Sequence, residues 1–181
     1  GEHTDYNEGF VLPAAIDLGV YLAISARPDR QCHLDAQDLS DSFQFDLDQF
    51  SKNTEHFWAN YIMGVVAEIQ KIVSPQRLRG FNLVLSADLP AGGGMSSSAA
   101  IENGVGMALN TLFDLGLSRL ELVRLSQRAE NRFVGMNCGI MDMFASMMGQ
   151  KDHFIRIDCR DLSYSYYPFH APDLRIILCD S

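Results

Sequence analysis

Positive charge is scarce in this 181-residue chain: 14 Lys and Arg stand against 23 Asp and Glu, a formal net charge of −9. Acidic residues crowd between Asp35 and Asp48, which argues against nucleic acid as a partner. It does not argue against a phosphorylated ligand held by backbone N–H groups and a metal ion. Lysine is confined to Lys52, Lys71 and Lys151, so no glycine run is followed by the Lys-Ser/Thr of a Walker A loop. No apolar run reaches membrane-spanning length and no secretory signal is visible, so no membrane partner is expected. Cys-x-x-Cys spacing is also absent. Cys32, Cys138, Cys159 and Cys179 read as reduced, mostly buried thiols of a cytoplasmic protein. The chain opens Gly1-Glu2-His3 without a methionine and stops directly after what reads as a strand, so both ends are expected to be cuts in a larger protein.

What is present begins with Pro90-Ala91-Gly92-Gly93-Gly94-Met95-Ser96-Ser97-Ser98-Ala99-Ala100. Three glycines let the backbone turn tightly and approach a ligand without Cβ interference. Three serines then lead into an amphipathic helix, whose free N–H groups and partial positive charge can hold phosphate. The run does not fit Gly-x-Gly-x-x-Gly, because Ser97 follows Gly92-x-Gly94 at the third glycine's position. A Gly-Ser run also serves as a plain loop or linker, although linkers rarely lead straight into a helical apolar period.

With 47% apolar and 20% charged residues, the length fits one domain with a real core. Residues 10–26 read as two strands or one bent strand, broken by Pro13 and Gly19. Residues 30–54 are polar and acidic, with one alternating piece at Phe43, Phe45 and Leu47. A helix is predicted over 55–73, capped by Thr54 and ended by Ser74-Pro75. Phe81, Leu83 and Leu85 alternate as a strand into the glycine loop. Ile101, Val105, Ala108, Leu109 and Leu112 make one helix face. Ser118 and Glu121 form a capping box for the next helix, with Leu117 stapled onto Leu122. Its apolar face runs through Leu122, Leu125, Ala129 and Phe133. A third helical piece spans 139–148, ended by Gly149. Strands are predicted at 153–158, 164–167 and 174–179. Grouped strands and grouped helices favour an α+β fold.

Three groups of residues can carry chemistry. Asp142 has the apolar neighbours Ile140, Met141, Met143 and Phe144. A buried carboxylate there needs a partner or a task; a partly solvated carboxylate at a helix start is the other reading. Glu130 read alone is a solvated helix residue. Pairing it with Ser98 around Mg²⁺ is chemically sound, since that ion takes few protein oxygens together with phosphate and water. Glu2, His3, Asp5 and Asn7 pack side chains suited to gripping sugar hydroxyls; the plain alternative is a frayed polar terminus. His33, His56, His153 and His170 show no ligand spacing.

The segment Gly1-Glu2-His3-Thr4-Asp5-Tyr6-Asn7-Glu8-Gly9-Phe10-Val11-Leu12-Pro13 closely resembles the galactokinase signature. The glycine loop resembles the second motif of the GHMP small-molecule kinases, and Cys138-Gly139-Ile140-Met141-Asp142 and Trp58-Ala59-Asn60-Tyr61 are similar to galactokinases as well. The resemblance runs along the whole chain. It implies the N-terminal domain of that superfamily over residues 1–181, of the ribosomal protein S5 domain 2-like type, with helices packed on a mixed sheet and the first strand and C-terminal domain absent. It implies Glu2, His3, Asp5 and Gly139 as galactose contacts and Asp142 as the catalytic aspartate. Gly92, Gly93, Gly94, Ser96, Ser97 and Ser98 would form the ATP phosphate loop. Ser98 and Glu130 would be the Mg²⁺ ligands, and Trp58 and Tyr61 would lie near adenine. The implied reaction phosphorylates the anomeric hydroxyl of α-D-galactose, in a monomer. An arginine that galactokinases carry upstream of Gly1 is missing, as are a third glycine-rich motif and a sugar-contacting tyrosine downstream, so the fragment alone is expected to be inactive. Met95 stands for a usual Leu and Met143 for a usual Gln, both mild changes. The alternatives are a catalytically silent galactose- and ATP-binding regulator, a kinase for a related sugar such as N-acetylgalactosamine, and a non-enzymatic binding module. The intact Ser96-Ser97-Ser98-Ala99-Ala100 favours the enzyme over the regulator.

Overall fold

The computed structural model describes residues 4–89, 94–169 and 173. Alternating apolar residues make two sheets, not one. Strands β2 (Val20–Ala26), β3 (Gln31–Ala36), β4 (Asp41–Asp46) and β5 (Phe81–Ala87) form a sheet in the order β2-β5-β3-β4. Within it β3 and β5 run parallel and the other pairs antiparallel, so this is the expected mixed sheet. Strands β1 (Phe10–Val11), β6 (His153–Asp158) and β7 (Ser163–Pro168) form a separate antiparallel sheet in the order β1-β6-β7. Residues 10–26 are thus two strands in two different sheets. The strand expected at 174–179 lies outside the described residues.

Four α-helices pack against these sheets: α1 (Ala59–Gln70), α2 (Ser97–Leu112), α3 (Arg119–Arg128) and α4 (Met141–Met148). On α1, Ile62, Met63, Val65, Val66 and Ile69 are fully buried, each contributing about 1.5–3 kcal/mol by leaving water. They join Leu34, Phe45, Phe81 and Leu83 of the mixed sheet in the larger core, while Ala99, Leu122, Met143, Phe144, Ile155 and Ile157 form a second core under the smaller sheet. Helix α2 contributes to both, with Val105 and Leu109 in the first and Ala99 in the second.

Helix α4 starts at Met141, not at Gly139, and both predicted ends of α1 move. Helix α1 starts at Ala59, not at Glu55, and Thr54 does not cap it. The Asn53 side chain accepts from the N–H groups of Glu55 and His56, both at 2.8 Å. The buried Asn60 side chain grips the Asn53 N–H and C=O at 2.8 and 2.7 Å. These local bonds offer the backbone an alternative to the first helical turn. Helix α1 also stops at Gln70, and Pro75 opens a short 3-10 turn of its own. A further departure is the strand β3, which the polar run 30–54 concealed. Its inward residues Cys32, Leu34 and Ala36 are buried while His33 and Asp35 face outward. At α3 the capping box stands as read, with Ser118 and Glu121 bonded reciprocally. The apolar face expected to continue through Ala129 and Phe133 passes into a π-helical turn, Ala129–Val134, closed by Gly135 at φ 83°. Among the described residues no helix is long and apolar enough to cross a membrane.

Candidate functional site

Three chain segments distant in sequence meet where α2 and α4 begin. The glycine loop is described from Gly94 onward; Gly92 and Gly93 lie outside the described residues, as do Glu2 and His3. Gly94 takes φ 67° and Ser96, the residue before α2, takes φ 56°. A left-handed non-glycine residue at a helix start is uncommon and clusters at ligand-binding sites. It turns the chain sharply into α2, whose start has no side-chain cap.

Helix α4 is held by the opposite end of the chain. Asp5 accepts a hydrogen bond from the Met141 N–H at 3.0 Å, which satisfies one of the free donors at the start of α4 and favours its dipole. Asp5 reaches that position across Gly139, where an added Cβ would overlap the Asp5 carboxylate. Asp142 stands in the first turn of α4, half-buried, with Met143 and Phe144 turned fully inward. It is therefore neither sealed in the core nor free in solvent. Asp142, Gly94, Met95 and Ser96 line one cavity of about 680 Å³. Arg119 also lines it and supplies a positive charge to its wall.

Behind this wall lies a cluster of acids. The π-helical turn presents Glu130, 6% exposed; such turns are frequent at functional sites. Burial raises the Glu130 carboxyl above the usual range, the Ser98 and Cys138 side chains beside it pull the other way, and the charge of Asp142 adds to the rise. The Cys138 thiol donates to Glu130 Oε2 at 3.6 Å. Asn131 fixes the intervening loop by accepting from the Cys138 N–H at 2.8 Å and donating to its C=O at 3.2 Å. Ser98 and Glu130 are thus side by side, an oxygen-only pair that fits a hard divalent cation.

Sequence reasoning missed Glu102. It is fully buried, and its carboxyl meets that of Glu130 side chain to side chain. Burial, followed by the neighbouring Glu130, pushes its carboxyl up to about 10. The available signal was its position, four residues after Ser98 and hence on the same face of α2.

The two aromatic residues occupy different surroundings. Tyr61 points at the acid cluster: burial first, then the charges of Glu130 and Glu102, raise its phenol. Trp58 precedes α1 and is tied to β4, its indole N–H donating to Asp41 Oδ2 at 2.7 Å, which also meets His56 Nδ1 at 2.8 Å. Neither lines the cavity that holds Asp142. Cys32 is buried, while Cys138 and Cys159 are only half-buried; all three are free thiols.

Comparison with known proteins assigns this arrangement to a family. The model of the GHMP kinases N terminal domain matches residues 60–150, and the galactokinase galactose-binding signature matches residues 1–26. The chain is 44% identical over 181 residues to the galactokinase of Chloroflexus aggregans, covering 100% of this chain and 46% of that protein. It is 44% identical over 178 residues to the galactokinase of Actinobacillus pleuropneumoniae, covering 98% and 46%. The chain thus spans about half the length of the curated relatives it matches. Its fold matches Lactococcus lactis galactokinase complexed with galactose at a TM-score of 0.87 and 38% identity, over 93% of this chain and 44% of that one. A mevalonate kinase of Methanococcus jannaschii shares the fold alone, at a TM-score of 0.70 and 19% identity over 94% of this chain and 52% of that one. With the family model covering half of it and such relatives along its length, the chain belongs to the GHMP kinases and carries the galactokinase galactose-binding signature.

Proposed function

We propose that this chain is the sugar- and ATP-binding part of a cytoplasmic, monomeric galactokinase, which transfers the γ-phosphoryl group of ATP to the anomeric hydroxyl of α-D-galactose. The observation that carries the reading is the shared cavity wall: Asp142 and the Gly94-to-Ser96 turn line one space. A proton acceptor and a phosphate-binding helix start must lie that close for direct transfer.

In this reading Glu2, His3, Asp5 and Gly139 hold the sugar. Asp5 has one oxygen committed to Met141 and offers the other to a hydroxyl, so sugar binding and the placement of Asp142 are mechanically linked. Asp142 takes the proton of the C1 hydroxyl as that oxygen bonds to the γ-phosphorus. The bond from phosphorus to the bridging oxygen breaks, and ADP leaves with its electron pair. Gly92, Gly93, Gly94, Ser96 and Ser97 cradle the phosphates, and Trp58 and Tyr61 flank the base. Ser98 and Glu130 would hold Mg²⁺, which when bound neutralises charge on the phosphate oxygens. The desolvated Glu130 beside Ser98, with no Lys or Arg ion pair among the described residues, is a donor set that suits such an ion.

Asp142→Asn in the protein as encoded in full tests the reading. Galactose-dependent ADP release should fall by roughly 10²–10⁴ in kcat, with galactose affinity largely kept. A near-normal kcat would remove Asp142 from the chemistry. Wild-type protein that binds galactose and ATP without releasing ADP would make it a regulator and not an enzyme.

A further inference from the structure

Asp142 sits between two backbone groups that distant segments hold. Before it, the Met141 N–H donates to Asp5 Oδ2 at 3.0 Å. After it, the Met143 C=O accepts from Asn103 Nδ2 of α2 at 2.8 Å. This is the one hydrogen bond between α2 and α4 among the described residues. Asn103 is 4% exposed and shares a helix face with Ala99 and Met107, one turn to either side. Ala99 is buried in the core under the smaller sheet, with Met143 and Phe144, and Met107 packs against that core. Asn103 interrupts this apolar stripe, and its Oδ1 is buried without a partner among the described residues. An aliphatic side chain would pack there and leave no polar atom unpaired. Local conflict of this kind belongs to positions that function constrains.

The geometry gives the amide a task. Helix α2 begins at the Gly94-to-Ser96 turn and α4 carries Asp142, and both helices line one cavity together with Asn103 itself. Apolar packing between the helices is non-directional, whereas a hydrogen bond is specific in length and angle. Resting on the kinase reading, we propose that Asn103 is a positioning residue for the proton acceptor: by holding the Met143 C=O to α2, it sets how far Asp142 stands from the phosphate-binding start of that helix. Asp142 is thereby referenced to the sugar through Asp5 and to the nucleotide through Asn103.

The test is a double-mutant cycle in the protein as encoded in full, with galactose-dependent ADP release as the readout. Asn103→Leu keeps the branched shape and removes the donor. It should lower kcat about 10–100-fold, the effect of a small misplacement of reacting groups, while KM for galactose and for ATP change little. In an Asp142→Asn background the same substitution should have no further effect, because the group it positions no longer takes the proton. A normal kcat in Asn103→Leu overturns the proposal. So does a loss that falls on KM instead of kcat, or an equal loss of kcat in both backgrounds, since either places the effect elsewhere than at Asp142. Should Asn103→Leu fail to fold, as judged by circular dichroism, Asn103→Ala removes the same donor without added bulk and enters the same cycle. Failure of the kinase reading shows separately, in wild type and Asp142→Asn, before Asn103 is altered.

Discussion

A Cβ on Gly139 would overlap the Asp5 carboxylate, so this residue sets how closely the first and last thirds of the site can approach. Gly139→Ala should push Asp5 away from the Met141 N–H and let α4 shift with Asp142 on it. The expected result is a loss of galactose affinity of at least tenfold, together with about 1–3 kcal/mol of stability lost to overpacking, read by calorimetric titration and urea unfolding. An alanine variant that binds galactose as wild type does would mean the two segments are not rigidly coupled. In the sequence Asp142 and the serine loop stood out against their local pattern, whereas Asp5, in a polar terminus, was singled out through the resemblance to galactokinases. Their meeting was not legible, since Asp5 and Met141 are 136 positions apart and no periodicity spans that gap. Glu102 escaped notice for the complementary reason. Followed by Asn103 and Gly104 it looks solvated, and only tertiary packing, which brings Tyr61 of α1 and Glu130 of the π-helical turn against it, shows otherwise.

Helix ends were legible only where a local capping device marks them: α3 was read correctly at its start, while both ends of α1 were misplaced. The Ser118–Glu121 box is a local chemical device, so its residues alone specify it. The π-helical turn that follows adds a residue to the ladder without any Gly or Pro to announce it. Helix α1 packs against it closely, and an added Cβ at Gly64 would lie only 3.2–3.3 Å from Ala129 or Phe133. The same contact contains Glu68, 2% exposed, which pairs with Lys71, accepts from Arg128 Nε at 3.0 Å and lies 4.0 Å from Arg132. Burial alone would raise Glu68, but Lys71 and Arg128 outweigh it and hold the carboxyl below its ordinary value. Breaking this bridge should loosen α3 and the turn that carries Glu130. Glu68→Gln is expected to cost about 2 kcal/mol. Because the native carboxyl sits below its unfolded value, wild type should hold that advantage above the ordinary carboxylate range and lose it as pH falls through the lowered value. Denaturant midpoints for the two proteins that ran parallel down to pH 3 would show that the bridge contributes nothing.

Seen as a whole, the molecule places two buried carboxyls, Glu102 and Glu130, where its two cores adjoin. Helix α2 joins those cores, and its face carries Ser98 toward the open site and Glu102 into the interior. Natural proteins tolerate such local conflict at functional sites and offset it elsewhere; here the surrounding aliphatic burial on α1, α3 and the mixed sheet does so. The conflict has a measurable signature in metal-free protein. Glu102 ionises near 4.5 when exposed and is pushed up to about 10 in the fold, so between those values the native state binds a proton that the unfolded chain has released. Stability must therefore fall as pH rises through that window, the reverse of the Glu68 effect. Glu102→Gln removes the difference, because an amide has no proton to lose. Urea unfolding in EDTA at pH 5, 7 and 9 should show wild type losing ground steadily to Glu102→Gln as pH increases, so the variant is the more stable form at alkaline pH. If the stability gap between the two proteins does not change across the three pH values, Glu102 is in contact with water or a counter-charge, and the buried pair behind the glycine loop does not exist in solution.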